Sequence, residues 1–320
     1  MGFNQKPSGR RPNPSDRGGG PSPADRQPGA AVLYPLPPEL AGLYRSASKD
    51  SLNPAVIFDR FAPDLSRAGN RKEDWKKQAL QSAAVKPDTN ALGAYLSRWQ
   101  ALVQAAGAQP FTMQTDWRFI PGLGRKSALE IGFNFHRYGF PYLPGSAAKG
   151  IARTCALFEL AETVQLPAEP SDLLNQLDQL LALPDEEFEK EIDRRPHWSK
   201  LKAHSDQTAQ FRAVFGTLEQ AGGAVFFEAI PAEAFALEMD IMNPHYGPYY
   251  QGKDAPADWH NPVPVAFLTV PAGKTFHFAV GWRRGARQPE LCAKAAGWLK
   301  QGLKDLGAGA KTAAGYGYFK

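Results

Sequence analysis

The stretch GAGAKTAAGYG, residues 307–317, holds four glycines, four alanines and one charged side chain, that of Lys311. Glycine adopts positive φ and lets the backbone approach other groups closely, so such a stretch can wrap its N–H groups around an anion. The same composition also fits a flexible linker or tail. We favour an ordered loop because a predicted helix precedes the stretch and a β-prone aromatic run, Tyr316, Tyr318 and Phe319, follows it.

The helix before this loop is predicted over residues 289–305. Pro289 stands in its first turn, where a missing N–H costs nothing, and apolar side chains recur at helical spacing behind it. Another helix is predicted from Ser146, which we take as its N-cap. Alternating or β-prone stretches predict strands at 111–120, 129–135, 224–230 and 235–242, and a hairpin at 266–282.

Two of these segments carry residues suited to a phosphate. The turn PGLGRKSALE, residues 121–130, combines glycines with basic side chains, among them Lys126. The helix start PGSAAKG offers free backbone N–H groups and a partial positive dipole, and Ser146, Lys149 and Arg153 share one helical face. An ordinary capped helix with solvated basic residues fits this second segment too.

The acidic residues are concentrated in one part of the chain. The net charge is +5, but residues 162–193 hold ten acidic residues and one lysine, a net charge of −9, so the rest of the chain carries +14. Two short helices, 171–183 and 184–195, followed by a polar loop over 195–210, are predicted there. A basic body with one acidic insertion, residues 162–210, indicates a polyanionic partner.

The beginning of the chain differs in composition from the rest. Residues 1–30 are rich in Pro, Gly, Ser and Arg and are predicted to be a disordered basic tail. Residues 31–110 are predicted to form a helical extension, with one helix after a capping box at Asn70 and another over 90–106. There is no apolar run of 18 residues and no signal-peptide pattern. We therefore expect a cytoplasmic protein that has no membrane partner and keeps its cysteines reduced.

The stretch 243–264 has no clear periodicity and interleaves aromatic with polar residues, among them His245 and Tyr246. Loops of this length inside a domain are usually functional or mobile. Its aromatic side chains suit stacking on RNA bases. A loop that docks onto another subunit fits the same composition.

Other chemistries find little support. Lys311-Thr312 is not a P-loop, because Ala310 and Asp305 stand where that motif requires glycine, and GLGRKS lacks the third glycine of a dinucleotide site. The six histidines show no metal spacing, and no partner for a general base can be located. We therefore expect no cofactor, no metal and no catalytic residue.

The order of elements, βαββαβ, is typical of a ferredoxin-like or RRM-like domain. The runs GLGRKSALEIGFNFHRYGFPYLPGSAAKGIAR, FGTLEQAGGAVFFEA, LEMDIMNPHYGPYYQG, PVPVAFLTVPAG and LGAGAKTAAGYGYF follow one another in this chain. In this order they resemble the RAMP superfamily of CRISPR proteins and, within it, the sixth-subunit family of the type III-B effector, the Cmr complex. The resemblance covers about residues 111–320.

The resemblance implies an α+β fold with an RRM-like, ferredoxin-like RAMP core, in which an antiparallel sheet carries helices on one face. Residues 111–320 would form this RAMP domain, with the acidic insertion at 162–210 and a thumb-like loop at 243–264. It further implies a non-catalytic subunit that binds CRISPR RNA, contributes to the target-RNA channel and contacts other RAMP subunits. Its place would be the end of the RAMP filament, near the 3′ end of the guide.

The alternatives are a RAMP endoribonuclease acting on guide precursor or target RNA, and a subunit that serves assembly alone. On the leading hypothesis the glycine loops, the helix start and the long stretch contact RNA. The predicted contacts are Gly122, Gly124, Lys126, Gly145, Ser146, Lys149, Arg153, His245, Tyr246, Gly307, Gly309, Lys311, Gly315 and Tyr316. Tyr316 could equally pack in the sheet.

Overall fold

The computed structural model describes residues 32–48, 52–167, 172–195, 198–243, 249, 252–255, 262, 264–283 and 288–320. The predicted tail, residues 1–30, and most of the stretch 243–264 lie outside the described residues. Within the described parts, no helix has the length and apolar character needed to cross a membrane.

The chain combines helices with antiparallel strands, as the α+β prediction required. The helices are α1 Pro38–Ser46, α2 Pro54–Arg60, α3 Lys72–Ala83, α4 Thr89–Ala105, α5 Gly145–Thr163, α6 Leu173–Ala182, α7 Asp185–Arg194, α8 Lys200–Ala203, α9 Ser205–Phe215 and α10 Pro289–Asp305. The strands are β1 Gln109–Gln114, β2 Ala224–Phe226, β3 Ile230–Pro231, β4 Glu238–Met242, β5 Val265–Thr269 and β6 Thr275–Trp282.

Strand β6 is the centre of the main sheet. It pairs antiparallel with β1 on one side and with both β2 and β3 on the other, in the order β1-β6-β2. Strands β4 and β5 form a separate antiparallel ribbon that ends at the pair Met242–Val265. The stretch 243–264 therefore begins and ends at the same end of the ribbon.

The side chains of β6 alternate between two layers of helices. Phe276 and Phe278 belong to the largest buried cluster, together with residues of α5 and α10. Ala279 points the other way, into a smaller cluster with Trp99 of α4. The sheet thus has α5 and α10 on one face, while α4, from the predicted extension, covers the other.

The predicted hairpin at 266–282 is wrong in its pairing, because β5 and β6 belong to different sheets. The segment that follows β1 forms hydrogen bonds with the turn between β5 and β6. The Thr115 hydroxyl donates to the Pro271 carbonyl at 2.9 Å and accepts from the Lys274 N–H at 2.8 Å. Phe119 then pairs with Val270, which separates the two strands.

The predicted strand at 129–135 is also wrong. Leu129, Ile131 and Phe133 are buried, so their alternation had a real cause, but the backbone is an irregular loop. Glu130 has a positive φ of 65°, and the Gly132 N–H donates within the loop, to the Leu123 carbonyl at 2.9 Å. An alternating burial pattern therefore does not require a ladder of hydrogen bonds.

Residues 195–210 are not a polar loop, since α8 and most of α9 occupy them. Phe211, Val214 and Phe215 are buried at helical spacing, whereas Ser205 and Asp206 in the first turn are exposed. The two helices predicted in the acidic segment are present as α6 and α7.

Candidate functional site

The two glycine loops meet beyond the end of β1. Ile120 forms a parallel bridge with Gly309, and its carbonyl accepts the Ala310 N–H at 3.0 Å. A small apolar cluster underneath joins both loops to the ribbon; its members are Ile120, Ile131 and Phe267, with Leu123, Met242, Val265, Ala310 and Tyr316 packed against it. We call the exposed part of residues 122–127 and 307–317 the glycine-loop surface.

Glycine is required by the geometry of the C-terminal loop at two positions. A Cβ on Gly309 would lie 2.3 Å from the Ile120 carbonyl oxygen, and one on Gly317 would lie 1.9 Å from that of Ala308. The Ala308 N–H donates to the Gly317 carbonyl and closes the loop, and the Gly317 N–H donates to the Arg118 carbonyl, each at 2.8 Å. The loop is ordered, as predicted; its Gly307 is buried and Gly315 exposed.

The outer part of this loop presents free backbone donors. Lys311 adopts the left-handed conformation, with φ 61° and ψ 32°, and a short 3₁₀ helix, Thr312–Ala314, follows it. Among the described residues, nothing accepts a hydrogen bond from the N–H groups of Lys311, Thr312 or Ala313. Successive N–H groups in such a turn converge and form a concavity that binds anions.

The Lys311 side chain adds a full charge to these donors. Its Nζ lies 5.7 Å from the ring centroid of Phe267, and it makes no ion pair with the described residues. A single lysine beside three free N–H groups matches the charge and donor geometry of a phosphate.

Tyr316 is half-buried and fixed from two sides. Its ring packs edge-on against Phe267, with 6.1 Å between centroids, and its hydroxyl donates to Asp240 at 2.7 Å. Burial acts to raise the pKa of Asp240, but hydrogen bonds from Tyr316, the Ile241 N–H and Arg118 outweigh it and hold the pKa below its ordinary value. Tyr316 therefore packs in the fold, and its role as an RNA contact stays a prediction.

The other loop of the surface is held by its own backbone. The Arg125 N–H donates to the Gly122 carbonyl at 2.9 Å, and the Arg125 guanidinium pairs with Asp59 at 3.3 Å. Gly124 lies in open space. Lys126 is exposed and has no ion pair with any described residue, so its ammonium is available to a ligand.

The start of α5 lies at the opposite end of β6 from the glycine-loop surface. Gly145 contacts β2 so closely that a Cβ would meet the Phe226 carbonyl oxygen at 2.2 Å. The sequence predicted Ser146 as the N-cap, but the N-cap is Pro144, because the Pro144 carbonyl already accepts the first helical hydrogen bonds. Ser146 is exposed, in the first turn of the helix.

The basic side chains of α5 are engaged within the protein. Lys149 donates to the Phe215 carbonyl, at the end of α9, at 3.0 Å, and burial lowers its pKa. Arg153 pairs with Asp178 of the acidic insertion and stacks 5.2 Å over the ring of Phe211. To hold a phosphate, Arg153 must first leave that carboxylate.

Sequence reasoning missed two residues beside the glycine-loop surface. Trp117 is 52% exposed, and Arg118 binds Glu238 and Asp240 at 2.9 Å and 2.7 Å. The only signal was an aromatic residue next to an arginine at the end of a predicted strand. His245 and Tyr246, in contrast, lie outside the described residues.

The described residues hold no cluster of His, Cys, Asp or Glu side chains suited to a metal ion. Both oxygens of Asp240 accept hydrogen bonds, one from Ile241 and the other from Arg118 and Tyr316.

No family model matches the chain. The CRISPR system Cmr subunit Cmr6 of Pyrococcus furiosus is 39% identical over 232 aligned positions, and the match covers 64% of this chain and 65% of that protein. The chain in the crystal structure of Cmr6 from Pyrococcus furiosus is 34% identical in sequence, with a TM-score of 0.45. The match covers 66% of this chain and 96% of the solved one. The similarity to Cmr6 is therefore one of sequence.

A chain in the cryo-EM structure of the type III-B Cmr-beta bound to cognate target RNA is 19% identical, with a TM-score of 0.51. It covers 79% of this chain and is itself covered to 72%, and it shows a likeness of fold. By its sequence identity to Cmr6, the protein is a homologue of that subunit of a CRISPR Cmr system.

Proposed function

We propose that the chain is a non-catalytic, RNA-binding subunit of a type III-B Cmr complex that targets RNA. The observation that carries this proposal is the group of unpaired N–H donors at Lys311, Thr312 and Ala313, beside the free ammonium groups of Lys311 and Lys126. The sequence similarity to Cmr6 supplies the context, since the relative of that name is a Cmr subunit.

The proposed ligand of the glycine-loop surface is the backbone of CRISPR RNA. Backbone N–H groups and lysines hold phosphates through charge and shape, without reading bases. A subunit that serves guides of any sequence needs this kind of contact. Target RNA would then pair with the guide along the same channel.

The finer placement rests on the resemblance of the five segments within residues 111–320. We place the subunit among RAMP proteins with an RRM-like core, at the end of their filament and near the 3′ end of the guide, in the cytoplasm. Other RAMP subunits of the complex would be its neighbours. The stretch 243–264, which connects the paired residues Met242 and Val265, would serve as the thumb.

The start of α5 would be a second RNA contact. Gly145 and Ser146 offer N–H groups at the end of a long helix, where the dipole favours an anion. Lys149 and Arg153 would contribute after rearrangement, because both now bind groups of the protein itself.

The proposal is tested by measuring the affinity of the full chain for single-stranded RNA as a function of salt. Lys126→Met combined with Lys311→Met removes two phosphate contacts, and each contact contributes about 0.7 to the slope of log affinity against log salt. The expected result is weaker binding and a slope smaller by about 1.4. The control is Lys190→Met, an exposed lysine of the acidic segment.

Binding that keeps both its strength and its salt slope in the double variant would refute the glycine-loop surface as the RNA contact. An equal loss in the Lys190→Met control would point to a general effect of charge.

A further inference from the structure

Trp117 is an exposed aromatic residue on a fixed backbone. It is 52% exposed, and no other tryptophan of the described residues is exposed. On one side of it the Asp116 N–H donates to the Tyr318 carbonyl, and on the other the Arg118 carbonyl accepts the Gly317 N–H, both at 2.8 Å. These hydrogen bonds join the backbone around Trp117 to the end of the C-terminal glycine loop.

Arg118 contacts the indole ring of Trp117. Its guanidinium carbon lies 5.4 Å from the ring centroid of Trp117, in a cation–π contact. The guanidinium cannot swing away freely, because Glu238 and Asp240 hold it at 2.9 Å and 2.7 Å. Asp240 in turn accepts the Tyr316 hydroxyl at 2.7 Å, which ties this arrangement to the glycine loop.

We propose that Trp117 is a stacking platform for an RNA base whose neighbouring phosphates lie on the glycine-loop surface. This inference rests on the proposed function and adds to it a contact with the bases. Single exposed apolar side chains are common and by themselves mean little. Here the backbone that carries the indole is hydrogen-bonded to the end of the loop that holds the unpaired N–H donors and Lys311. Aromatic side chains combined with positive charge bind single strands without sequence preference.

A base fits this position better than a side chain of another protein. The loop to which this backbone is hydrogen-bonded offers the unpaired N–H groups of residues 311–313 and the Lys311 ammonium, which suit an anion. A single RNA strand provides both flat π-faces and phosphates. Every base has such a face, so the contact accepts any guide sequence.

The test compares two probes, a single-stranded oligouridine and inorganic polyphosphate, with the full chain and its variants. Trp117→Ala is expected to weaken oligouridine binding about tenfold, the effect of losing one stacked base, with an unchanged salt slope. Polyphosphate, which has no bases, should bind Trp117→Ala as it binds the unaltered chain. Trp117→Phe should recover part of the affinity, and Leu102→Ala, an exposed apolar residue of α4, is the control that should change nothing.

A second readout is tryptophan fluorescence, which stacking on a base quenches. Oligouridine should quench the unaltered chain, and Trp117→Ala should lose that part of the quenching.

The outcomes separate the two proposals. If the unaltered chain binds oligouridine and Trp117→Ala binds it equally well, the stacking inference is overturned and the proposed function stands. If Trp117→Ala loses affinity equally for oligouridine and polyphosphate, the stacking inference is also overturned, because Trp117 then supports the loop and does not contact a base. Quenching that needs another Cmr subunit and no RNA assigns the indole to a protein contact. If the unaltered chain binds neither probe, the proposed function fails as well.

Discussion

Replacing Gly317 by alanine tests how the C-terminal glycine loop is held. Gly317 has a φ of +81°, and its added Cβ would lie 1.9 Å from the Ala308 carbonyl oxygen. That oxygen belongs to the backbone and cannot rotate away, so the loop has to shift. The shift would disturb the two hydrogen bonds that Gly317 makes, one with Ala308 and one with Arg118, both 2.8 Å long.

The expected cost follows from these contacts. An alanine in the left-handed region costs about 1 kcal/mol more than glycine. Each of the two hydrogen bonds contributes about 1 kcal/mol. Gly317→Ala should therefore lower the free energy of unfolding by about 3 kcal/mol.

Gly315→Ala is the matched control, since Gly315 has a φ of +90° but nothing lies within 4 Å of its added Cβ. It carries the backbone strain alone and should cost about 1 kcal/mol. Urea denaturation of both variants measures the difference, provided that the m-values agree. Equal destabilisation by the two substitutions would refute the close contact between Gly317 and Ala308 as the reason for glycine at this position.

Three further predictions follow from the contacts around the site. Tyr316→Phe should destabilise the chain by about 1 kcal/mol at neutral pH. Because the pKa of Asp240 is held below its ordinary value, this difference should be present above about pH 4 and shrink as the pH falls through the pKa of Asp240 in the folded state. Urea denaturation of both proteins at several pH values measures it. Asp178→Asn frees Arg153 and should raise RNA affinity about threefold in a titration, the effect of one partly exposed ion pair; an unchanged affinity would speak against RNA at the start of α5. Guide precursor and target RNA should stay intact when incubated with the chain and Mg²⁺, whereas specific cleavage lost in Asp240→Ala or His245→Ala would contradict the non-catalytic role.

The sequence predicted best those elements that local signals define. Helix α10 has the predicted bounds, Pro289–Asp305, because a proline opens it and Gly307 follows its end. Helix α9 was missed because its polar outer residues dominate the composition, while the buried Phe211 and Phe215 fall at the end of the segment. The pairing of β5 with β4 was beyond reach, since Thr115, more than 150 positions away, occupies the turn before β6.

In the candidate site, too, the sequence predicted the features that local signals define and missed those that depend on contacts between distant residues. Its glycines and Lys311 stood out by composition, and an ordered loop was predicted from its place between a helix and an aromatic run. That the loop lies against Ile120 depends on a contact between distant parts of the chain. The pairing of Arg153 with Asp178 is likewise set by how the acidic insertion packs on α5, which spacing along one helix does not reveal.

Crosslinking of RNA to the subunit in the assembled Cmr complex, mapped to peptides, tests the central proposal most directly. The glycine-loop surface predicts crosslinks in peptides that contain Lys126 and residues 307–317, and in the adjacent peptide with Trp117. Crosslinks confined to other parts of the chain, such as α7 of the acidic segment, would contradict it.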